Sequence, residues 1–199
     1  MCVCLLTRVT TFGQELVKEK YSTGELRADG RLVNGKKEGE WIFYYPSGKK
    51  NSIENYKNGT LNGQVIYFYP TETKQGEERW QEGVMLDSAW YFHPNGKLDR
   101  KGMYDNNQYT GTWKYFFDNG NRKRIVSYKN GLPEGSISVY NENGFIIQEG
   151  NYHEGLEEGK WKFFTDEGEL KFYGQYHAGK ETGTWYEVKK GKERVYKKY

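Results

Sequence analysis

A period of 24 residues runs through this chain without insertion. A repeat of that length restricts the chain to an array of one small supersecondary unit written many times. "GEWIFYYPSGKK" at residue 39 returns as "GTWKYFFDNGNRK" at 111 and "GKWKFFTDEGELK" at 159, with weaker copies from Gly63, Asp87 and Gly135. Counting outward adds Glu15 and Gly183, so copies start at 15, 39, 63, 87, 111, 135, 159 and 183. The first position of the unit is Gly in six of eight copies. The third is Trp41, Trp113, Trp161 and Trp185, replaced by Val17, Val65, Ala89 and Ile137 elsewhere. The sixth and eighteenth positions are mostly aromatic, and the tenth and twenty-first are mostly Gly.

These columns spell a β-hairpin. "WIFYY", "VIYFY" and "WKYFF" are short aromatic and β-branched runs of the kind that form strands. "YPSG", "FDNG", "NENG" and "TDEG" carry turn residues, and "KNGTLNG", "KNGLPEG" and "HEGLEEG", each with two Gly four apart, turn the chain back. The expected fold is all-β: an elongated single-layer antiparallel β-meander of stacked hairpins, about 75 Å long at ~4.8 Å per strand. Residues 1–14 stand apart as an N-terminal arm or a remnant export signal, and residues 15–199 form the array.

Composition agrees with a thin structure. Hydrophobic residues are 35% and mean hydropathy is −1.00, low for a central core, yet 17% of residues are aromatic, which disordered chains lack. Rings are expected to supply the buried area, lying over glycine backbone that has no side chain. Within one strand, Trp41, Phe43 and Tyr45 share a face and Ile42 and Tyr44 share the other. Gly costs about 1 kcal/mol in a helix, and no sustained 3.6-residue periodicity occurs. The ends are more polar than the inner copies, with Glu19 and Lys20 at positions five and six of the first and "EVKKGKERVYKKY" closing the last.

Chemistry is harder to find. His153 and His177 occupy one column in adjacent copies, which places them ~10 Å apart and too far for a shared zinc ion, so they read as surface histidines. Glycine pairs fall in hairpins rather than between a strand and a helix, which argues against phosphate binding. Glu157, Glu158, Asp166, Glu167 and Glu169 fall in expected turns as a solvated face. The expectation is no enzyme, no catalytic residue, no metal and no cofactor. A basic stripe along the body is absent, which argues against nucleic acid. Cys2 and Cys4 alone give no disulfide framework.

The runs "YKNGTLNGQVIYFYP" (Tyr56 to Pro70) and "YKNGLPEGSISVY" (Tyr128 to Tyr140) resemble the MORN repeat, and more closely its bacterial variant, whose members include YwqK-like antitoxins. That resemblance implies a twisted sheet of hairpins and a non-catalytic role as a protein-interaction scaffold, with a toxin encoded nearby as the implied partner. The sites to examine are where copies differ. The fourth position varies from Ile42 and Ile66 through Trp90, Lys114, Ser138 and Lys162 to Tyr186. Ile42, Trp90, Lys114, Lys162 and Tyr186 are therefore the partner-binding candidates. The alternative is a cell-envelope glycan- or membrane-surface-binding protein, through exposed rings or the basic tail. The compartment is cytoplasmic, or exported if residues 1–13 act as a signal.

Overall fold

The computed structural model describes residues 9–11 and 13–199. It is all-β, and it divides into two compact units, one ending at Lys97 and the other running Leu98–Tyr199. The first contains β1 (Val9–Thr11), β2 (Gln14–Lys20), β3 (Leu26–Val33), β4 (Lys36–Tyr44) and β5 (Lys50–Lys57). It continues through β6 (Thr60–Phe68), β7 (Lys74–Gln81), β8 (Val84–Met85) and β9 (Asp87–Phe92). The second contains β10 (Leu98–Asp105), β11 (Gln108–Phe116), β12 (Arg122–Lys129), β13 (Leu132–Tyr140) and β14 (Ile146–His153). It ends with β15 (Leu156–Phe164), β16 (Leu170–His177), β17 (Lys180–Lys189) and β18 (Lys192–Lys198). Within each unit, chain neighbours pair antiparallel, except that β9 joins β7 beside the short β8. Each unit is thus an antiparallel meander, as the repeat pattern requires.

The expected arm or export signal at residues 1–14 lies largely outside the described residues. Of it, Val9–Thr11 forms β1 and pairs with Gln14 to Leu16. The basic end is likewise a regular hairpin: β18 pairs with β17, and Arg194 forms an ion pair with Glu187. The charged final segment continues the meander instead of running out of it.

Two kinds of turn alternate. At one edge a longer turn carries the tenth-position Gly, with the Tyr45 N–H donating to the Lys49 carbonyl (2.8 Å) and the Gly48 N–H to the Tyr45 carbonyl (2.9 Å). At the other edge two residues make the turn, Asn34–Gly35, Asn58–Gly59 and Asn130–Gly131 among them. Their first residues have φ of +49 to +52° and their second +64 to +86° across eight turns. Positive φ at both central positions is the type I′ turn, whose twist matches that of the flanking strands. Only the first glycine of "KNGTLNG" belongs to this turn. The second, Gly63, lies inside β6 at a register shift with φ +116°, and Gly39, Gly111, Gly135, Gly159 and Gly183 repeat the arrangement. The expected broad glycine turn is therefore a tight turn followed by a β-bulge, which sharpens the local twist. Asp87 fills the same column at φ +69°, and there the strand breaks into β8 and β9.

The core is a line of third-position side chains: Val17, Trp41, Val65 and Ala89 in the first unit, and Trp113, Ile137, Trp161 and Trp185 in the second, all buried. Each Trp lies flat on a glycine of the preceding strand. A Cβ placed on Gly30, Gly102, Gly150 or Gly174 would come within 2.2–2.3 Å of the ring of Trp41, Trp113, Trp161 or Trp185. The bulge leaves a carbonyl without a ladder partner, and the indole supplies one. The Nε1–H of Trp41 donates to the Arg31 carbonyl (3.0 Å), that of Trp113 to Met103 (3.0 Å) and that of Trp161 to Asn151 (3.2 Å). Eighteenth-position tyrosines meet the indoles edge-on: Tyr104 and Trp113 at 5.2 Å, Tyr152 and Trp161 at 5.3 Å, Tyr176 and Trp185 at 5.3 Å. The aromatic columns are thus the core itself, built without a second layer.

Where the glycine is absent, so is the tryptophan. Glu54 faces Val65, Glu78 stands in register with it on the next strand, and Val126 faces Ile137. The carboxylates use the space a ring would fill. Glu54 accepts from Ser52 Oγ (2.7 Å) and Tyr56 OH (2.5 Å). Glu78, 6% exposed, accepts from Tyr91 OH (2.6 Å), Tyr67 OH (3.1 Å) and Trp80 Nε1 (3.1 Å). Burial, reinforced by Glu78, raises the Tyr67 pKa far above the ordinary phenol value.

Candidate interaction surface

Antiparallel pairing turns sequence columns into rows that cross the strands. A fourth-position side chain sits beside the fifteenth position of the strand before it and of the strand after it. In the first unit this gives one row: Lys18, Asp29, Ile42, Ile53, Ile66, Glu77 and Trp90, each directly opposite the next. In the second unit the row is Lys101, Lys114, Ile125, Ser138, Glu149, Lys162, Tyr173 and Tyr186. Directly opposed side chains on a sheet lie ~5 Å apart, so each row is a continuous ribbon on the face away from the third-position tryptophans.

The five candidates therefore fall into two groups. Ile42 and Trp90 belong to the first row, joined by Ile53, Ile66 and Glu77. Lys114, Lys162 and Tyr186 belong to the second. Lys114 is exposed and the other four are half-buried. Their surroundings differ in chemistry. Ile42, Ile53 and Ile66 make an apolar stretch. Lys162 Nζ pairs with Glu149 at 3.6 Å, and the Tyr173 and Tyr186 rings stack at 5.0 Å and 17°. Column variation marks the fourth position in the sequence. The intervening residues, Ile53, Glu77, Ile125, Glu149 and Tyr173, become visible only once the strands are paired, because they lie 11 to 13 residues away from their partners in the chain.

The histidines form a second repeated feature at the type I′ edge. Glu134 accepts from the Glu154 backbone N–H (2.8 Å) and meets His153 Nδ1 at 3.2 Å. Glu158 does the same with the Ala178 N–H (2.9 Å) and His177 Nδ1 (3.1 Å). The carboxylates at 157 and 158 are thus strand residues of β15, and Glu158 ties neighbouring turns together rather than standing free in a turn. Asp166 and Glu167 do lie in a turn. The histidine side chains are 65% and 77% exposed, as surface histidines should be. Among the described residues no group of three His, Cys, Asp or Glu side chains is arranged to hold a metal.

The hydrogen bond to Glu134 raises the His153 pKa, while the Glu154 N–H and then His153 lower that of Glu134. A raised histidine value means that its contribution is complete below the ordinary pKa of about 6.5 and lost as pH rises through the folded value. The carboxylate's contribution is complete above about 4.3 and lost as pH falls through its own lowered value. The turn is thus held best from about pH 4.3 to 6.5. NMR titration of the His153 ring should give an apparent pKa above about 6.5 in the wild type and a lower one in Glu134→Gln. Identical values in the two proteins would refute the pairing.

Four segments of the chain, residues 37–58, 91–106, 109–130 and 157–178, match the family profile of the MORN repeat variant. These are MORN repeats, a class of module that generally serves as a scaffold or binding surface. No curated protein matches the chain. Among solved structures, the crystal structure of TcdB2-TccC3 is similar at 12% identity and a TM-score of 0.23, over 92% of this chain. The crystal structure of TcdB2-TccC3-Cdc42 is similar at 12% identity and a TM-score of 0.18, over the same share. This chain spans only 14% of the length of either matched chain.

Proposed function

We propose that this chain is a non-catalytic scaffold that binds a protein partner, in the manner of a toxin-neutralising protein, through the rows containing Ile42, Trp90, Lys114, Lys162 and Tyr186. The observation that carries this reading is the division of labour between the two faces. One face holds the buried third-position side chains, tryptophan in four of the eight copies, and the eighteenth-position rings beside them. The other holds ribbons of side chains whose chemistry changes from strand to strand with no structural requirement to do so, as a recognition surface does in other repeat folds. Aromatic residues are enriched at protein interfaces, and Trp90, Tyr173 and Tyr186 supply them in these rows.

The test uses affinity capture from the native source with the full chain and two variants, Ile42→Asp with Trp90→Ala, and Lys162→Ala with Tyr186→Ala. Wild type should retain one stoichiometric protein that at least one variant loses by roughly tenfold or more, a hot-spot effect of about 1.4 kcal/mol or above. Both variants should keep the wild-type unfolding midpoint within a few degrees, because these sites lie outside the core. Equal capture by all three proteins would remove the rows as the binding site. The neutralising role requires in addition that the captured protein arrest growth when expressed alone and not when expressed with this chain.

A further inference from the structure

Lys37 reaches its ammonium over three rings at once, 4.5 Å from the Trp41 centroid, 4.4 Å from Phe43 and 4.8 Å from Tyr56. Burial lowers its pKa, with the carboxylates of Glu19 and Glu54 acting against that shift. The core face of this fold thus holds an organic cation where aromatic faces and carboxylates converge, the combination that favours ammonium and guanidinium groups. Lys37 stands four residues before its tryptophan. Before Trp113 the same position is Tyr109, whose ring covers the indole at 4.3 Å. Before Trp185 it is Glu181, a carboxylate, which cannot cover a ring favourably because the aromatic face is itself negative.

Beside Trp185 a groove of about 470 Å³ opens. Phe163, Phe172, Trp185 and Tyr196 give it aromatic walls, and Glu181 and Asp166 line it with carboxylates. Phe163 and Trp185 are 6.0 Å apart, and Phe172 meets Tyr196 edge-on at 5.0 Å. Lys171 also lines the groove, with its ammonium 5.6 Å from the Phe172 centroid, which leaves the groove with one carboxylate in excess. The groove therefore brings together rings and acids of the kinds that surround Lys37, in a different arrangement: Glu181 itself stands in the Lys37 column, as Glu157 does before Trp161.

We propose that this groove receives an arginine or lysine side chain of the protein partner, against the rings of Phe163, Phe172 and Tyr196 at the edge of Trp185 and beside the carboxylates of Asp166 and Glu181. The inference rests on reading the chain as a protein-binding scaffold, and it assigns a basic segment of the partner to the Trp185 groove.

The experiment is an NMR titration of the full chain, following the indole N–H signals, with the peptide acetyl-Arg-Gly-Arg-amide. Its citrulline counterpart, which keeps the shape and removes the charge, serves as control. The arginine peptide should shift the Trp185 signal saturably and leave Trp41, already covered by Lys37, in place. The citrulline peptide should bind at least tenfold more weakly, and so should the arginine peptide to the double variant Asp166→Asn, Glu181→Gln, a loss of about 1.4 kcal/mol. An unmoved Trp161 signal in that variant reports that the fold is intact. No saturable shift, equal binding of the two peptides, or a Trp185 shift with spermidine but not with the arginine peptide would each overturn the proposal. Failure here with the outer-row variants still losing the partner removes this inference alone. Peptide binding with partner capture unaffected by the outer-row variants removes the outer rows and leaves this site.

Discussion

Replacing Gly150 by Val should cost the second unit about 3 kcal/mol or more, and replacing Trp161 by Ile as well should return at least half of that loss. The ring of Trp161 lies 2.2 Å from where the first added carbon would sit. The nearest atoms belong to an indole that is fully buried, edge-packed by Tyr152 and Tyr176, and tethered to the Asn151 carbonyl. It cannot swing aside without losing all of these contacts, and forced overpacking of this kind costs roughly 1–3 kcal/mol even in forgiving cores. Trp161→Ile alone should cost about 3 kcal/mol by opening a cavity over bare glycine. The double variant recreates the Val126–Ile137 pair that the same unit already contains two strands away. Urea unfolding of the four proteins makes a double-mutant cycle. A coupling energy near zero would show that the two positions do not act as a unit.

The second large effect is expected at Glu78. Its carboxylate is buried and takes hydrogen bonds from two phenols and an indole. Glu78→Leu would remove the acceptor that three donors share, at a cost of roughly 3–5 kcal/mol. Glu78→Gln keeps one acceptor oxygen and should cost about half as much. The loss should appear in the first unit, read from the Trp41, Trp80 and Trp90 indole signals, with Trp113, Trp161 and Trp185 less affected. A second readout separates charge from packing. Burial and then Glu78 hold the Tyr67 phenol protonated far into alkaline pH, so Glu78→Gln should lower the pH at which that tyrosine ionises. If the alkaline titration is unchanged while stability falls, the carboxylate acts through shape and not through its charge.

Much of this architecture is legible in the sequence because the unit is short and its local signals agree with one another. Runs such as "WIFYY" and turns such as "KNG" fix strands and hairpins within ten residues, and eight copies in phase remove the ambiguity of any one. The second glycine of each pair is misread as turn, since positive φ is demanded equally by a tight turn and by a bulge, and only pairing distinguishes them. The Gly150–Trp161 contact is hidden for another reason. It joins position sixteen of one copy to position three of the next, so it crosses the boundary at which copies are aligned. Its signature is nonetheless present: glycine before tryptophan at 30/41, 102/113, 150/161 and 174/185, and Glu54/Val65, Glu78/Ala89 and Val126/Ile137 elsewhere. Of the recognition surface, variation at the fourth position is readable, whereas the alternating members of the rows come from the opposing strands. The groove beside Trp185 has no sequence signal until Lys37 is seen lying over Trp41.

The seating of each indole on a bare backbone gives these copies an order, much as words in a sentence accept only some neighbours. A tryptophan-bearing copy can follow only one that ends its own pairing with glycine, and a copy ending in Val126 accepts nothing larger than isoleucine. Loss of residues 159–182 would set Trp185 against Gly150 and leave every neighbour acceptable. Loss of residues 135–158 would set Trp161 against Val126 and jam the seam. A duplication or deletion of one whole unit is thereby expected to be tolerated at some junctions and not at others, according to which side chain meets which backbone at the new seam.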